Sequence, residues 1–465
     1  MSRISGILGG AELRLLNRLA EANAAATLNT LHLAAGRRIL YPSDDPGTFV
    51  ALSRLQSQMN NVVAAMANVT AASSSITQAQ TTIDQIRTQL ETIRTELLKD
   101  PSEQEGSQGI IDQAISRINA LANGTIDGRR LLSGSADYLV SGRNAAQVRE
   151  LYVWSKAPGS SMDVSGTVTQ AATQAQFTYT GDGAIPSHPA ADATFTLSGM
   201  RGSTSFSVTT TQTLAQVADA INQQSHVTGV TASSVGNTLT FTSVDYGTDA
   251  AISITVTSGT FVVAGTGTAL DAEATICGQD YTGSGNRFLV SDNGFVFQME
   301  LAAGYSGDLD TMTVSGDALQ FQLSTDLARP ATLAIPGLLA SRLGGISGRL
   351  DQIATGGAYS GLGANTSRAI RIVDEAVGVL DLVEGNVAGF YNASISSASE
   401  LLSDLQTELQ DAFNQTDGYD PAYETAQLAY NQQLAANALA GLAILQQQRQ
   451  SIVELIQQIA GLSAG

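Results

Sequence analysis

The side chains best suited to catalysis or metal binding are few in this 465-residue chain: His32, His188, His226 and Cys277 are its entire histidine and cysteine content. Their spacing gives no H-E-x-x-H pair and no local Cys/His cluster, and no G-x-x-x-x-G-K-[ST] string occurs. Gly283-Ser284-Gly285 and Gly361-Leu362-Gly363 are isolated and read as turn glycines. His32 reads as a packed polar residue, His188 as a loop residue between prolines, and Cys277 as a small buried or semi-buried side chain. The adjacent acids Asp44 and Asp45 are the remaining candidates. A cation would need further oxygen ligands that their neighbourhood lacks. An acid at the start of a long helix has a sufficient reason in capping and the helix dipole. The expected roles of Asp44 and Asp45 are therefore capping and pairing, between helices or subunits, with Arg37 or Arg38. These readings imply neither enzyme nor cofactor nor metal.

The elements that would carry these residues are set by composition and periodicity. Lys plus Arg number 23 against 42 acids, a net charge of −19, so no basic patch of the size nucleic acid requires can be assembled. No apolar run approaches the ~18 residues needed to cross a bilayer. Ser2 to Gly10 lacks the ~7–15-residue apolar centre of a secretory signal. One cysteine permits no internal disulfide. That suits a reducing compartment and equally a protein exported without a cleaved signal.

The nine prolines leave 47–100, 337–420 and everything after 421 free of helix breakers. In the first window Leu52, Leu55, Met59, Val62, Met66 and Val69 advance by threes and fours. A new phase, Ala72, Ile76, Ala79, Ile83, Ile86, Leu90, Ile93 and Leu97, follows a stammer at 69–72. A helix over about 47–98 would be roughly 75 Å long. A shorter helix bears Ile111, Ile115, Ile118 and Leu121, and Asp127-Gly128 ahead of Arg129 to Gly134 predicts a small hairpin.

From about 150 to 345 the texture is Thr, Ser, Gly and Val with period-two alternation, as in Phe295 to Leu301. One helix is expected there, from Leu214 to Ile221. This stretch holds five basic and 15 acidic side chains and is expected to face solvent. The chain then returns to helix. Ile370, Val373, Val377 and Leu380 open a seam, and Tyr391, Ile395, Ala398, Leu402, Leu405, Leu409 and Ala412 continue it after a phase shift. A last helix starts with Asp420 as N-cap and Pro421 as its first residue, carrying Leu434, Ala438, Leu445, Ile452, Leu455 and Ile459. The fold expected is α+β: an antiparallel coiled coil of N- and C-terminal segments, interrupted by a β-rich insert. Its divisions are an N-terminal assembly helix and turn (1–46), coiled-coil helices and hairpin (47–150), the insert (151–345), a C-terminal coiled-coil helix (346–414) and a C-terminal assembly helix (415–465).

Several strings resemble the bacterial flagellin family, which includes filament flagellins and the hook–filament junction protein. Leu33-Ala34-Ala35-Gly36-Arg37-Arg38-Ile39 leads into Pro42-Ser43-Asp44-Asp45-Pro46-Gly47, and Gly128-Arg129-Arg130-Leu131-Leu132-Ser133-Gly134 is similar to the family hairpin. Phe195 through Ile254 resembles a repeat of flagellin and hook-protein inserts, and Asp420-Pro421-Ala422-Tyr423-Glu424 resembles the opening of the last family helix. Ala34-Ala35, Leu40-Tyr41 and the terminal Ala460 to Gly465 depart from the family pattern. The resemblance implies a structural subunit of the flagellum that is secreted, extracellular and concerned with motility. It would be exported unfolded through the type III apparatus, polymerising with itself and meeting neighbouring axial proteins and an export chaperone. Filament subunit and junction protein (hook-associated protein 3) both remain open. A secreted β-rich adhesin on a helical stalk is the reading from a different class.

Overall fold

A 52-residue helix, α2 (Pro46–Leu97), follows an N-terminal helix, α1 (Ser2–Ala35), in this computed structural model. The structure describes residues 2–462 except 101, 102, 105, 327, 328 and 364; the side chains of 2–9 and 459–462 also lie outside the described set. The chain divides into two compact units, one formed by residues 1–66 with 400–465 and the other by 67–399.

In the larger unit the long seam is buried along its length. Val69 and Ala72 on either side of the stammer are both inward, and Ile76, Ile83, Ile86, Leu90 and Ile93 are fully enclosed. Leu97 and helix α3 (Ser107–Ala122), through Ile111, Ile115 and Ile118, extend this core. Facing it is α6 (Thr366–Phe390), whose Ile370, Val373, Ala376, Leu380 and Val383 are buried, after the helices α4 (Leu214–Gln223) and α5 (Ser225–Thr228) of the insert. Arg94 bonds Asp374 at 2.9 Å, and Arg87 bonds Asp381 at 2.6 Å and also Glu384. Rising numbers on α2 thus meet falling numbers on α6, so the pair is antiparallel.

The phase shift after Leu380 has a structural cause. Tyr391–Ser396 is a π-helical turn between α6 and α7 (Ser397–Asp417). Its wider turn takes in an extra residue and moves the apolar stripe around the helix. Beyond it Leu402 is buried, whereas Leu405 and Leu409 are only half-buried, so the seam thins here.

The β-rich part holds two cores. In one, the strands Gln176–Thr180, Val230–Val235, Thr238–Ser243 and Val263–Ala264 form an antiparallel sheet. A second sheet joins Ala193–Gly199, Gly202–Val208 and Ser253–Gly259. Thr213 caps α4 by accepting from Gln216 N, while the Gln216 side chain receives Thr213 N. Leu214, Val217 and Ile221 then pack with Phe195, Phe241 and Phe261. Helix α5, just beyond, was not foreseen; it is one short turn before Gly229, without apolar periodicity. The other core lies between a five-stranded antiparallel sheet (Leu139–Ser141, Gly307–Ser315, Met162–Gln170, Glu273–Ile276, Gln279–Thr282) and a three-stranded one (Arg287–Asp292, Phe295–Leu301, Val148–Ser155). Val164, Ile276, Phe288, Phe297 and Val314 fill it.

Two local expectations need correction. The hairpin at 128–134 reduces to a single bridge, Ile126 with Arg129, around Asp127-Gly128; Leu131 and Leu132 turn inward instead of continuing a ladder. Cys277 is exposed, because it occupies the tight turn between Glu273–Ile276 and Gln279–Thr282 with φ 49°.

Candidate assembly surface

The smaller unit pairs α1 with the last helix, α8 (Pro421–Leu462). Glu12 meets Arg449 at 3.1 Å, Asn29 receives Asn431 Nδ2 at 2.9 Å, and His32 Nδ1 lies 3.2 Å from Glu424 Oε1. These contacts again run in opposite directions along the sequence. The inward faces are narrow and small: Ala22 on α1, Ala435 and Ala438 on α8, and Gly441 with Leu15 3.2 Å from where its Cβ would stand. Alanine and glycine allow close approach but bury little apolar area per turn.

The turn between α1 and α2 is tied to the end of α7. Asp417, 2% exposed, accepts from Arg38 N at 2.8 Å and Ile39 N at 3.1 Å, and its backbone carbonyl accepts Arg38 Nε at 2.8 Å. Ile39, Leu52 and Phe413 form a small core flanked by half-buried Phe49, Leu55 and Met59. Val62 is buried.

Asp45 accepts from Gly47 N and Thr48 N at 3.1 Å and from Thr48 Oγ1 at 2.6 Å, as an N-cap of α2 does. Asp44 instead accepts from Leu40 N and Tyr41 N, closing the preceding turn. These donors hold both carboxyls below the usual range: the Thr48 hydroxyl first for Asp45, and the Tyr41 amide first for Asp44. Within the chain neither acid pairs with Arg37 or Arg38. Arg38 is drawn to Asp417, and Arg37 lies 4.6 Å over the Phe413 ring. Asp420 Oδ1 accepts from Ala422 N and Tyr423 N at the start of α8.

What these helices leave uncovered is more informative than what they bury. Leu13, Leu16, Leu28 and Leu31 are exposed on α1; Tyr430, Leu434, Leu439, Ile444, Ile452, Val453, Leu455 and Ile456 are exposed on α8. Leu445 is half-buried, and the Ile459 side chain lies outside the described residues. Sequence reading picked Leu434, Ile452 and Leu455 but passed over Leu439, Ile444 and Ile456. The signal for them was more leucine and isoleucine on α8 than one helix face can turn toward a single partner. Large apolar surface left on a folded chain marks a site of association.

Residues 370–456 match the bacterial flagellin C-terminal helical region, and residues 194–245 match the flagellin hook IN motif. Two separate segments of the chain are thus similar to flagellin-family regions. The matched regions take in α4, α5 and four strands of the first β core, and most of α6 to α8; the strings at 33–47 and 128–134 lie outside both. Among solved structures, the D2-D3 domains of the flagellar cap protein FliD from Escherichia coli are 20% identical, covering 39% of this chain and 99% of that one with a TM-score of 0.28. FliD from Bdellovibrio bacteriovorus is 16% identical over 35% of this chain and 99% of that one, TM-score 0.25. FlgL from Xanthomonas campestris is 11% identical over 79% of this chain and 98% of that chain, TM-score 0.22. No curated protein sequence matches the chain.

Proposed function

We propose that this chain is a flagellin-family axial subunit of the flagellum, exported unfolded and polymerised through α1 and α8. The observation that carries the reading is the apolar surface on these two helices: large side chains exposed on a helix pair whose fully buried apolar residues are alanines. These side chains are already about half covered, so burying the rest of each against a neighbouring copy is worth about 1 kcal/mol. A polymer makes these gains repeatedly. The divisions at 1–46 and 415–465 serve as assembly segments in this reading, 47–150 and 346–414 as the coiled coil, and 151–345 as the solvent-facing part. Asp44, Asp45, Arg37 and Arg38 set the geometry of the turn joining α1 to α2. The partners are further copies of the chain, neighbouring axial proteins and an export chaperone.

The filament subunit is the leading assignment. The hook–filament junction is the second, favoured by Pro42-Ser43-Asp44-Asp45-Pro46, which is closer to junction proteins. Labelled antibody on intact flagella separates them: staining along the shaft supports the filament, and a single band at its base supports the junction. Export that survives loss of the flagellar apparatus would instead support a β-rich adhesin.

A further inference from the structure

A cavity of about 990 Å³ opens within residues 67–399, with Arg94, Arg149, Arg201 and Arg287 in its walls. In a chain of net charge −19, residues 151–345 hold five cations, and two of them, Arg201 and Arg287, line this one space. Four carboxylates share the walls and engage the arginines incompletely. Glu300 takes Arg149 Nη2 at 2.7 Å, and Asp374 takes Arg94 Nε at 2.9 Å. Asp245 and Glu375 stand 3.4 and 3.5 Å from Arg201, and Glu375 is already committed to Ser347 N and Oγ. Arg149 Nε and Arg201 Nη1 are consequently buried without a hydrogen-bond partner. A buried guanidinium N–H is among the costliest donors to leave unmet, and its best acceptor is an oxyanion. The cavity's volume is that of small-molecule sites, about 300–1,000 Å³.

We propose that this cavity binds an oxyanion, the carboxylate or phosphate of a small molecule. Arg149 Nε and Arg201 Nη1 are its buried donors, and the exposed Arg287 completes the set. The site is independent of the terminal helices and stands or falls apart from the assembly reading. Tyr152 lines the cavity and stacks on Trp154, the chain's single tryptophan, with ring centroids 6.1 Å apart. Indole emission therefore reports occupancy.

The test titrates the full chain with glucuronate and, separately, with inorganic phosphate, at ionic strength fixed by sodium chloride. Emission and titration calorimetry are followed together, with glucose as the neutral control. Saturable binding of at least one oxyanion is expected; tighter glucuronate identifies an organic carboxylate and tighter phosphate a phosphate. Arg201→Gln and Arg287→Gln are each expected to weaken it at least tenfold with circular dichroism unchanged. Arg287 is mostly exposed, so its variant reports binding even where Arg201→Gln perturbs folding. The proposal is overturned if neither probe saturates by either readout, or if both folded variants bind as the parent does.

Discussion

Asp417→Ala removes the side chain that ties the α1–α2 turn to the end of α7. Its carboxylate accepts two backbone amides, those of Arg38 and Ile39, in a site where Asp417 is only 2% exposed. Alanine leaves both amides without an acceptor. A buried unsatisfied donor costs about 1–3 kcal/mol. Ile39 N is enclosed and takes the upper part of that range; Arg38 N is half-buried and takes the lower. The local loss is then about 3–5 kcal/mol, which lowers hydrogen-exchange protection of the two amides by roughly 140- to 3,700-fold. Asp417→Asn keeps one carbonyl acceptor and one of the two bonds, so about half the loss is expected. The assay is site-resolved amide exchange of parent and both variants at one pH, with Ile86 in the other unit as internal reference. Protection at Arg38 and Ile39 that falls less than threefold in Asp417→Ala would refute the reasoning.

Other outcomes follow from the same structure. Ile86→Asp places an unpaired charge in a fully enclosed seam position and should cost several kcal/mol, abolishing cooperative melting of the larger unit. Arg87→Met breaks the bonds to Asp381 and Glu384, but these carboxylates are more than a third exposed, so denaturant unfolding should register under about 1 kcal/mol. Burial pushes the Asp137 carboxyl up to about 6, above its ordinary 3.8, so the folded state holds its proton longer. Stability should therefore decline as pH rises from about 4 to about 6, and Asp137→Asn should flatten that decline in melts across the range. Asp45 has the opposite sign: its capping contribution is present above the ordinary carboxyl pKa and is lost as pH falls through the lowered one, visible as a lower protection factor at Thr48 N. Deleting 415–465 should give a chain that forms no polymer under electron microscopy.

The elements were largely legible because their periods are long and proline-free. Steps of three and four from Ile76 to Leu97 specify a buried stripe whatever lies opposite, and Leu214, Val217, Ala218 and Ile221 announce α4. The β-rich insert was readable as strand from alternation such as Phe295 to Leu301. Its division into two cores was not, since alternation gives a strand its faces and leaves its neighbours undetermined. The π turn at Tyr391–Ser396 appeared in sequence only as a slipped register. Side-chain partners were least accessible. Arg38 stands seven residues from Asp45 but meets Asp417, because α7 and α8 run back antiparallel beside the beginning of the chain. His32 with Glu424 and Asn29 with Asn431 depend on the same long-range closure, which no local pattern encodes.

The exposed faces of α1 and α8 admit a direct test. Leu13, Leu455 and Ile456 are replaced together by glutamine, and parent and variant are held under the same polymerising conditions and viewed by electron microscopy. Regular tubes from the parent, and a folded but solitary variant with unchanged helicity, are the predicted pair of results. Solitary parent molecules under every condition, or tubes from the variant as readily as from the parent, would contradict assembly through these helices.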